Sequence, residues 1–165
     1  MVVSKDGLQV SMDADPASTP SYAISKRPVP STQISYLKFR ARHEGQLKFG
    51  LLSDPPINLR QRAQQSQFTE FRGWSTEAYV FRDRDEQCDG GLGLQSGDEC
   101  ILQFNPGERT LRCLELTSGR HATIWNLNLM EVVHMRWVFD IERTGDRVEI
   151  LATTPEDIAR MDEFQ

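Results

Sequence analysis

The sequence is short of the features that usually announce chemistry. Its 165 residues include three cysteines, Cys88, Cys100 and Cys113, with no C-x-x-C pair and no histidine pair beside them. A zinc site or a disulfide framework needs more ligands at closer spacing, so neither is expected. The cysteine pattern suits a reducing, cytoplasmic setting. No apolar run approaches the roughly 20 residues of a membrane-spanning helix. The opening, Met1-Val2-Val3, meets Lys5 and Asp6 at once and leaves no apolar stretch for a secretory signal. Basic residues are outnumbered, 19 against 24 acidic, for a net charge of −5. A nucleic-acid binder needs a basic face to neutralise phosphates, so that class is set aside.

What is present is a chain of ordinary globular composition, 38% hydrophobic and 26% charged. Its length suits one domain with a real core. The dominant texture is short β-prone runs separated by turn residues. Asp6-Gly7 precedes the alternating set Leu8, Val10 and Met12; Asp15-Pro16 to Pro20 reads as a loop. From Ile34 to Arg42, Leu37, Phe39 and Ala41 point one way while Tyr36, Lys38, Arg40 and Arg42 point the other, as in a half-buried strand. Leu47, Phe49 and Leu51 form the next buried face, and with His43-Glu44-Gly45 between them the two runs read as a hairpin. Asp54–Thr69 is polar and aperiodic, long for a loop within one domain. Gly73-Trp74 to Phe81 returns to strand and runs into a solvated charged loop, Arg82-Asp83-Arg84-Asp85-Glu86.

Cys100–Phe104 and Thr110–Leu116 flank Asn105-Pro106-Gly107-Glu108. A turn centred on Pro106-Gly107 sets Cys100 opposite Cys113, Leu102 opposite Leu111 and Ile101 opposite Arg112. Met135–Ile141 and Arg147–Leu151 are the last two strands. Thr154-Pro155-Glu156-Asp157 then offers a capping hydroxyl, Pro at the first helical position and acids in the first turn, with Ile158 and Met161 on one face. The expected fold is all-β: a two-sheet antiparallel β-sandwich, jelly-roll-like, over residues 1–151, with a short C-terminal helix in residues 152–165.

A search for catalytic spacing returns little. His43, His121 and His134 lie in or beside turns, with no nucleophile at a telling distance in sequence. Asp83, Asp85 and Glu86 alternate with arginine and miss the calcium-loop pattern. Gly90-Gly91-Leu92-Gly93 lacks the Lys and the helix of a phosphate-binding loop. No metal or cofactor is expected, and no enzyme. Trp74, Trp125 and Trp137 are read as partly core, with at least one available to a binding surface.

The order of these pieces resembles the SPRY domain, the core of the B30.2 family, and the related Neuralized repeat. Asp6-Gly7-Leu8-Gln9-Val10 is similar to the family's opening strand, and Tyr22–Pro30 to the segment before its first long strand. Tyr36–Arg42 with Leu47–Leu52 resembles its strand pair. Gly73-Trp74-Ser75-Thr76-Glu77-Ala78-Tyr79 resembles its "GW…SYGY" segment. Ser96–Ile101, Asn105–Leu111 and Gly145–Ile150 are similar to its later strands. Leu114–Gly119 and Met135-Arg136 depart from its "F-x-x-NG" and "YP" patterns. Tyr36–Leu51 and Phe71–Arg84 are also similar to the farnesoic acid O-methyltransferase-like domain, without any cofactor motif to support that activity.

The SPRY resemblance implies a rigid sandwich whose loops read a short peptide or a folded partner, often as the substrate-recruiting part of a ubiquitin ligase or scaffold. By position along the family pattern, the candidate surface comprises Asp15, Pro16, Ser53, Asp54, Gly73, Trp74, Arg82, Asp83, Arg84, Glu142, Arg143 and Thr144. The expected partner is a protein or peptide, with no nucleic acid and no membrane, and the chain is expected to be a monomeric domain of a larger protein or complex. The alternative is a carbohydrate-binding jelly roll, which would show Tyr36 and Tyr79 as exposed, coplanar rings.

Overall fold

The computed structural model describes residues 2–3, 9–11, 21–54, 71–82, 85–87, 91–127 and 134–163. Thirteen strands and one helix lie among them. The strands are β1 (Val2–Val3), β2 (Gln9–Ser11), β3 (Ser21–Ile24), β4 (Ser35–Arg42), β5 (Leu47–Asp54), β6 (Phe71–Ser75) and β7 (Val80–Arg82). They continue as β8 (Asp85–Gln87), β9 (Glu99–Asn105), β10 (Thr110–Glu115), β11 (His121–Ile124), β12 (His134–Ile141) and β13 (Arg147–Leu151), followed by helix α1 (Pro155–Asp162). Two antiparallel sheets result: a seven-stranded sheet in the order β1-β2-β13-β4-β9-β10-β11, and a six-stranded sheet in the order β3-β12-β5-β6-β7-β8.

The alternation read in β4 holds. Phe39 and Ala41 are buried, and Leu37 packs against the same core. Phe39 stands at the centre, its ring 5.1 Å from Phe49 and 5.0 Å from Phe139, both on the other sheet. Tilted and edge-to-face pairs at such distances add to the apolar burial that holds the sheets together.

Two sequence expectations are corrected. β4 and β5 do not form a hairpin: β4 pairs with β13 and β9, while β5 pairs with β12 and β6. Alternation assigns a face to each strand but not a neighbour. Here the chain arches from one sheet to the other through residues 43–46, so the two buried faces meet across the core. The second correction is the β9–β10 register. Cys100 pairs with Glu115 rather than Cys113, and Leu111 with Phe104, a shift of two residues (115 against 113). Arg112 accordingly faces Gln103, and Ile101 faces Leu114. A two-residue hairpin loop needs positive φ at its first position, which proline cannot adopt. The turn therefore widens to Pro106–Arg109, with Arg109 at φ 55° and the Asn105 Oδ1 accepting from the Glu108 N–H at 3.1 Å. A shift of two preserves the faces, so Cys100, Leu102, Leu111 and Cys113 all still point into the core.

Gly73-Trp74 to Phe81 is likewise two strands, β6 and β7, around a turn in which Ala78 has φ 70°. The charged run is not all loop, since Asp85–Gln87 forms the edge strand β8. Gly50 and Gly73 face each other in adjacent strands, and a Cβ on either would collide with the other strand's backbone. The Phe71 ring lies over Gly73, 5.4 Å from Phe81, and caps an outer apolar cluster with Leu52 and Val138. The expected loop over Asp54–Thr69 falls, beyond Asp54, outside the described residues.

Helix α1 forms as its sequence predicts. Thr154 accepts from the Asp157 N–H (3.2 Å) while the Asp157 carboxylate accepts from the Thr154 N–H (2.9 Å), a reciprocal cap with Pro155 in the first turn. Met161 is buried against Ile101 and Leu114 on the outer face of the seven-stranded sheet, and Lys38 bridges to Asp157 at 3.0 Å. Among the described residues no helix is long and apolar enough to cross a membrane.

Candidate functional site

Two of the crossings between sheets, β4 to β5 and β12 to β13, lie at one end of the sandwich, here the arch end. Arg42 pairs with Arg147 there, and Ile141 with Leu47. Ser35, Asp54, Asn105 and His134 mark the far end.

A cleft of about 280 Å³ opens at the arch end, lined by Arg42, His43, Glu44, Ser96 and residues 144–147. It joins the β4–β5 arch, the loop before β9 and the β12–β13 loop. Asp146 ties two of them: its Oδ1 accepts from the Glu44 N–H at 2.9 Å and its Oδ2 from the Gly45 N–H at 3.3 Å. Asp146, with its carboxylate on both amides, is only 2% exposed within an exposed loop. Gly145, at φ 91°, turns the chain so that Asp146 points inward. The third loop is held by the His43 N–H donating to Ser96 Oγ (3.0 Å) and the Gly97 N–H donating to the Ala41 carbonyl (2.8 Å).

His43 Nδ1 lies 3.1 Å from the Gly45 carbonyl and donates to it. Its Nε2 is buried without a hydrogen-bond partner. Arg143 and Glu44 approach to 3.4 Å at the rim, both well exposed, a pair worth little in stability. Lys48 reaches Glu142 at 3.4 Å and Asp140 at 3.9 Å and links the β12 end to β5. The arrangement is a concave, mixed-charge surface on braced loops. Among the described residues its one contact between His43 and Ser96 is from the His43 backbone N–H, not from the ring.

Among the described residues, the candidates named from sequence do not converge. Glu142, Arg143 and Thr144 sit at the arch end, and Thr144 lines the cleft. Ser53 and Asp54 close β5 at the far end, opposite Met135 and His134. Gly73 and Trp74 are buried mid-sheet; Trp74 has no exposed surface and stands 6.1 Å from Phe49. Arg82 ends β7 opposite Arg72, while Asp83, Arg84, Asp15 and Pro16 lie outside the described residues. Sequence reasoning missed Arg42, Glu44, Ser96, Asp146 and Arg147 as a group. Their one signal was Gly145-Asp146, a turn pair read only as the end of the connection between the last two strands and the lead into the closing one.

The histidines are also apart. His43 is at the arch end and His134 at the far end, while His121 opens β11, which is separated from β4 by β9 and β10. Among the described residues no three His, Cys, Asp or Glu side chains gather as a metal site.

A β-sandwich of two antiparallel sheets defines the class. Solved structures of this class include the SPRY domain of human HERC1, with a TM-score of 0.67 at 14% identity over 93% of this chain and 92% of that one. The TRIM65 PSpry domain matches with a TM-score of 0.65 at 10% identity, covering 92% of this chain and 85% of that one. The Neuralized NHR1 domain of Drosophila melanogaster matches with a TM-score of 0.54 at 14% identity, over 92% and 91%. No family model matches the sequence, and no curated protein matches it. The fold is the SPRY fold, in the broad sense that takes in Neuralized-type domains.

Proposed function

We propose that this chain is a non-catalytic protein-interaction module that reads a short peptide or a folded partner through the loops of its arch end. The observation that carries this reading is the cleft itself, where the β4–β5 arch and the β12–β13 loop are braced by one buried carboxylate, Asp146, and the loop before β9 is held by the His43 N–H to Ser96 and the Gly97 N–H to Ala41. Rigid loops keep the entropy cost of binding low. The rim sets Arg42, Arg143 and Arg147 against Glu44, which suits a polar segment with a few anchors. Likeness to SPRY and Neuralized-type folds supports the same class by analogy. The finer assignments, recruitment of substrates to a ubiquitin ligase or scaffold and residence in the cytoplasm, rest on that analogy and on the cysteine pattern.

A carbohydrate platform is less well supported. Tyr36 packs partly into the outer cluster beneath α1, while Tyr79 sits beside β7 in the other sheet, so the two rings form no common surface.

The test is affinity capture from the native cell with the wild-type chain, with the double variant Arg42→Ala/Arg143→Ala, and with Lys26→Ala as a surface control. Specific partners should be retained by wild type and control and reduced on the order of tenfold by the double variant, with urea midpoints unchanged. Equal recovery by all three would remove the arch end as the binding surface.

A further inference from the structure

We infer that Arg112 and Trp125 form a second docking site, on the outer face of the seven-stranded sheet at its far end, for an acidic segment of a partner protein. Tyr36, Gln103, Arg112 and Thr123 lie in one row across β4, β9, β10 and β11, on the face turned away from the core. Arg112 is 6% exposed, yet it carries a full charge at any ordinary pH. Its Nε and Nη1 are buried without a hydrogen-bond partner. Its ion pair is with Glu108 across the turn, Nη2 to Oε2, at 3.4 Å. That exceeds the roughly 2.7–2.9 Å of a charge-assisted hydrogen bond, and Glu108 is itself 49% exposed. Burying a charge with so little compensation is costly unless something completes it. Beside it, Gln103 Oε1 and Thr110 Oγ1 are also buried and unpartnered.

Trp125 lies over this group, its ring 5.9 Å from the Arg112 guanidinium and 57% exposed. The other exposed large hydrophobic residue among those described is Ile34, at 44%. Ser35, Phe104, Leu111 and Ile124 are in register across the four strands. Ile34, just before Ser35, and Trp125, just after Ile124, therefore flank the same end of the face.

The unmet groups select the occupant. Arg112 lacks charge as well as acceptors, which a carboxylate supplies and a neutral carbonyl does not. Glu108 already marks the position with that chemistry. Gln103 Oε1 needs an N–H donor, which a peptide backbone offers and a free carboxylate ion lacks. An apolar neighbour in the same segment would cover Trp125 and Ile34. Entry requires the Trp125 ring to swing off the guanidinium, while the following backbone stays tied by the Leu127 N–H to the Arg109 carbonyl at 3.0 Å. The chain's net charge of −5 opposes any non-specific attraction of an acidic peptide.

Fluorescence anisotropy with a labelled peptide of alternating Leu and Glu, against its Leu/Gln counterpart, tests the site. The Glu peptide should bind at least tenfold tighter. Arg112→Gln should lose at least tenfold, Trp125→Ala several-fold, and Glu108→Gln, which removes the resident carboxylate, should bind several-fold tighter. Trp125 and Glu108 are exposed enough that their variants remain informative should Arg112→Gln fail to fold. Failure of the Glu peptide to bind, equal affinity for both peptides, or weaker binding by Glu108→Gln would overturn the site. Arg42→Ala/Arg143→Ala should leave this binding untouched, so its outcome is independent of the arch-end reading.

Discussion

Asp140 shows how one side chain can set the pH response of the fold. Burial pushes its carboxyl from 3.8 up to about 7, and Lys48, at 3.9 Å, offsets part of that while Glu142 adds to it. The folded state thus binds this proton more tightly than the unfolded chain. Its contribution to stability is complete below about pH 4 and is lost as the pH rises through 7. Glu115 and Asp157 act in the opposite sense. Burial alone would raise both, but hydrogen bonds from Ser118 and Thr117 in one case, and from Thr154 and Lys38 in the other, outweigh it and hold them below their ordinary values. Their stabilisation is lost only in acid. Urea midpoints of the wild type should therefore fall between pH 5 and 7.5, and Asp140→Asn should flatten that fall; an unchanged slope would mean that Asp140 titrates normally. None of this was legible in the sequence, where Asp140 is one acid within a strand. Alternation says that it points outward, not that the outer face is covered. The tryptophans make the same point. Trp74 sits in the most family-like segment and is wholly interior, whereas Trp125, unremarked in any motif, is the exposed one.

At the level of elements, the strands were legible because alternation and turn residues are local signals, and their partners were not. The arch through His43–Gln46 and a hairpin would share one sequence pattern. The β9–β10 register turned on whether proline can occupy the first position of a two-residue loop, a constraint the residues state openly. Helix α1 was the most legible element, since its cap, first turn and apolar face all agree. Thr154→Ala should cost about 1 kcal/mol by removing the reciprocal cap. The same change should loosen the Lys38–Asp157 bridge and the seat of Met161, seen as faster amide exchange in α1 and at Ile101 and Leu114. A loss confined to α1, with those strand amides unaffected, would show that the helix frays without bracing the sheet.

For the whole molecule, the core joins both sheets, and Cys100 and Cys113 lie within it. The Cys113 thiol beside it, together with burial, raises the Cys100 thiol far above its ordinary range, so no thiolate is available in the folded state. With Cys88 replaced by serine, alkylation of these two thiols should track global unfolding in urea; labelling under native conditions would mean that the sheets part locally. The candidate surface was only partly legible at this scale, because its residues come from loops far apart in sequence. Glu142–Thr144 were found, but the residues that complete the cleft were not, and Arg112 stood out only once its unmet hydrogen bonds were visible. The strand order carries one more consequence. β12 lies between β3 and β5, and β13 between β2 and β4. Each sheet thus receives a middle strand from the last third of the chain. While the polypeptide is being made, β2, β3 and β4 have exposed edges that wait for partners over a hundred residues downstream (Arg147 opposite Ser11, Ile141 opposite Ser21, Arg147 opposite Arg42), and β5 waits for β12 (Ile141 opposite Leu47). Such long-range closure makes folding slow and late. A nascent chain stalled before His134 would present open strand edges to whatever chaperone or neighbour it meets.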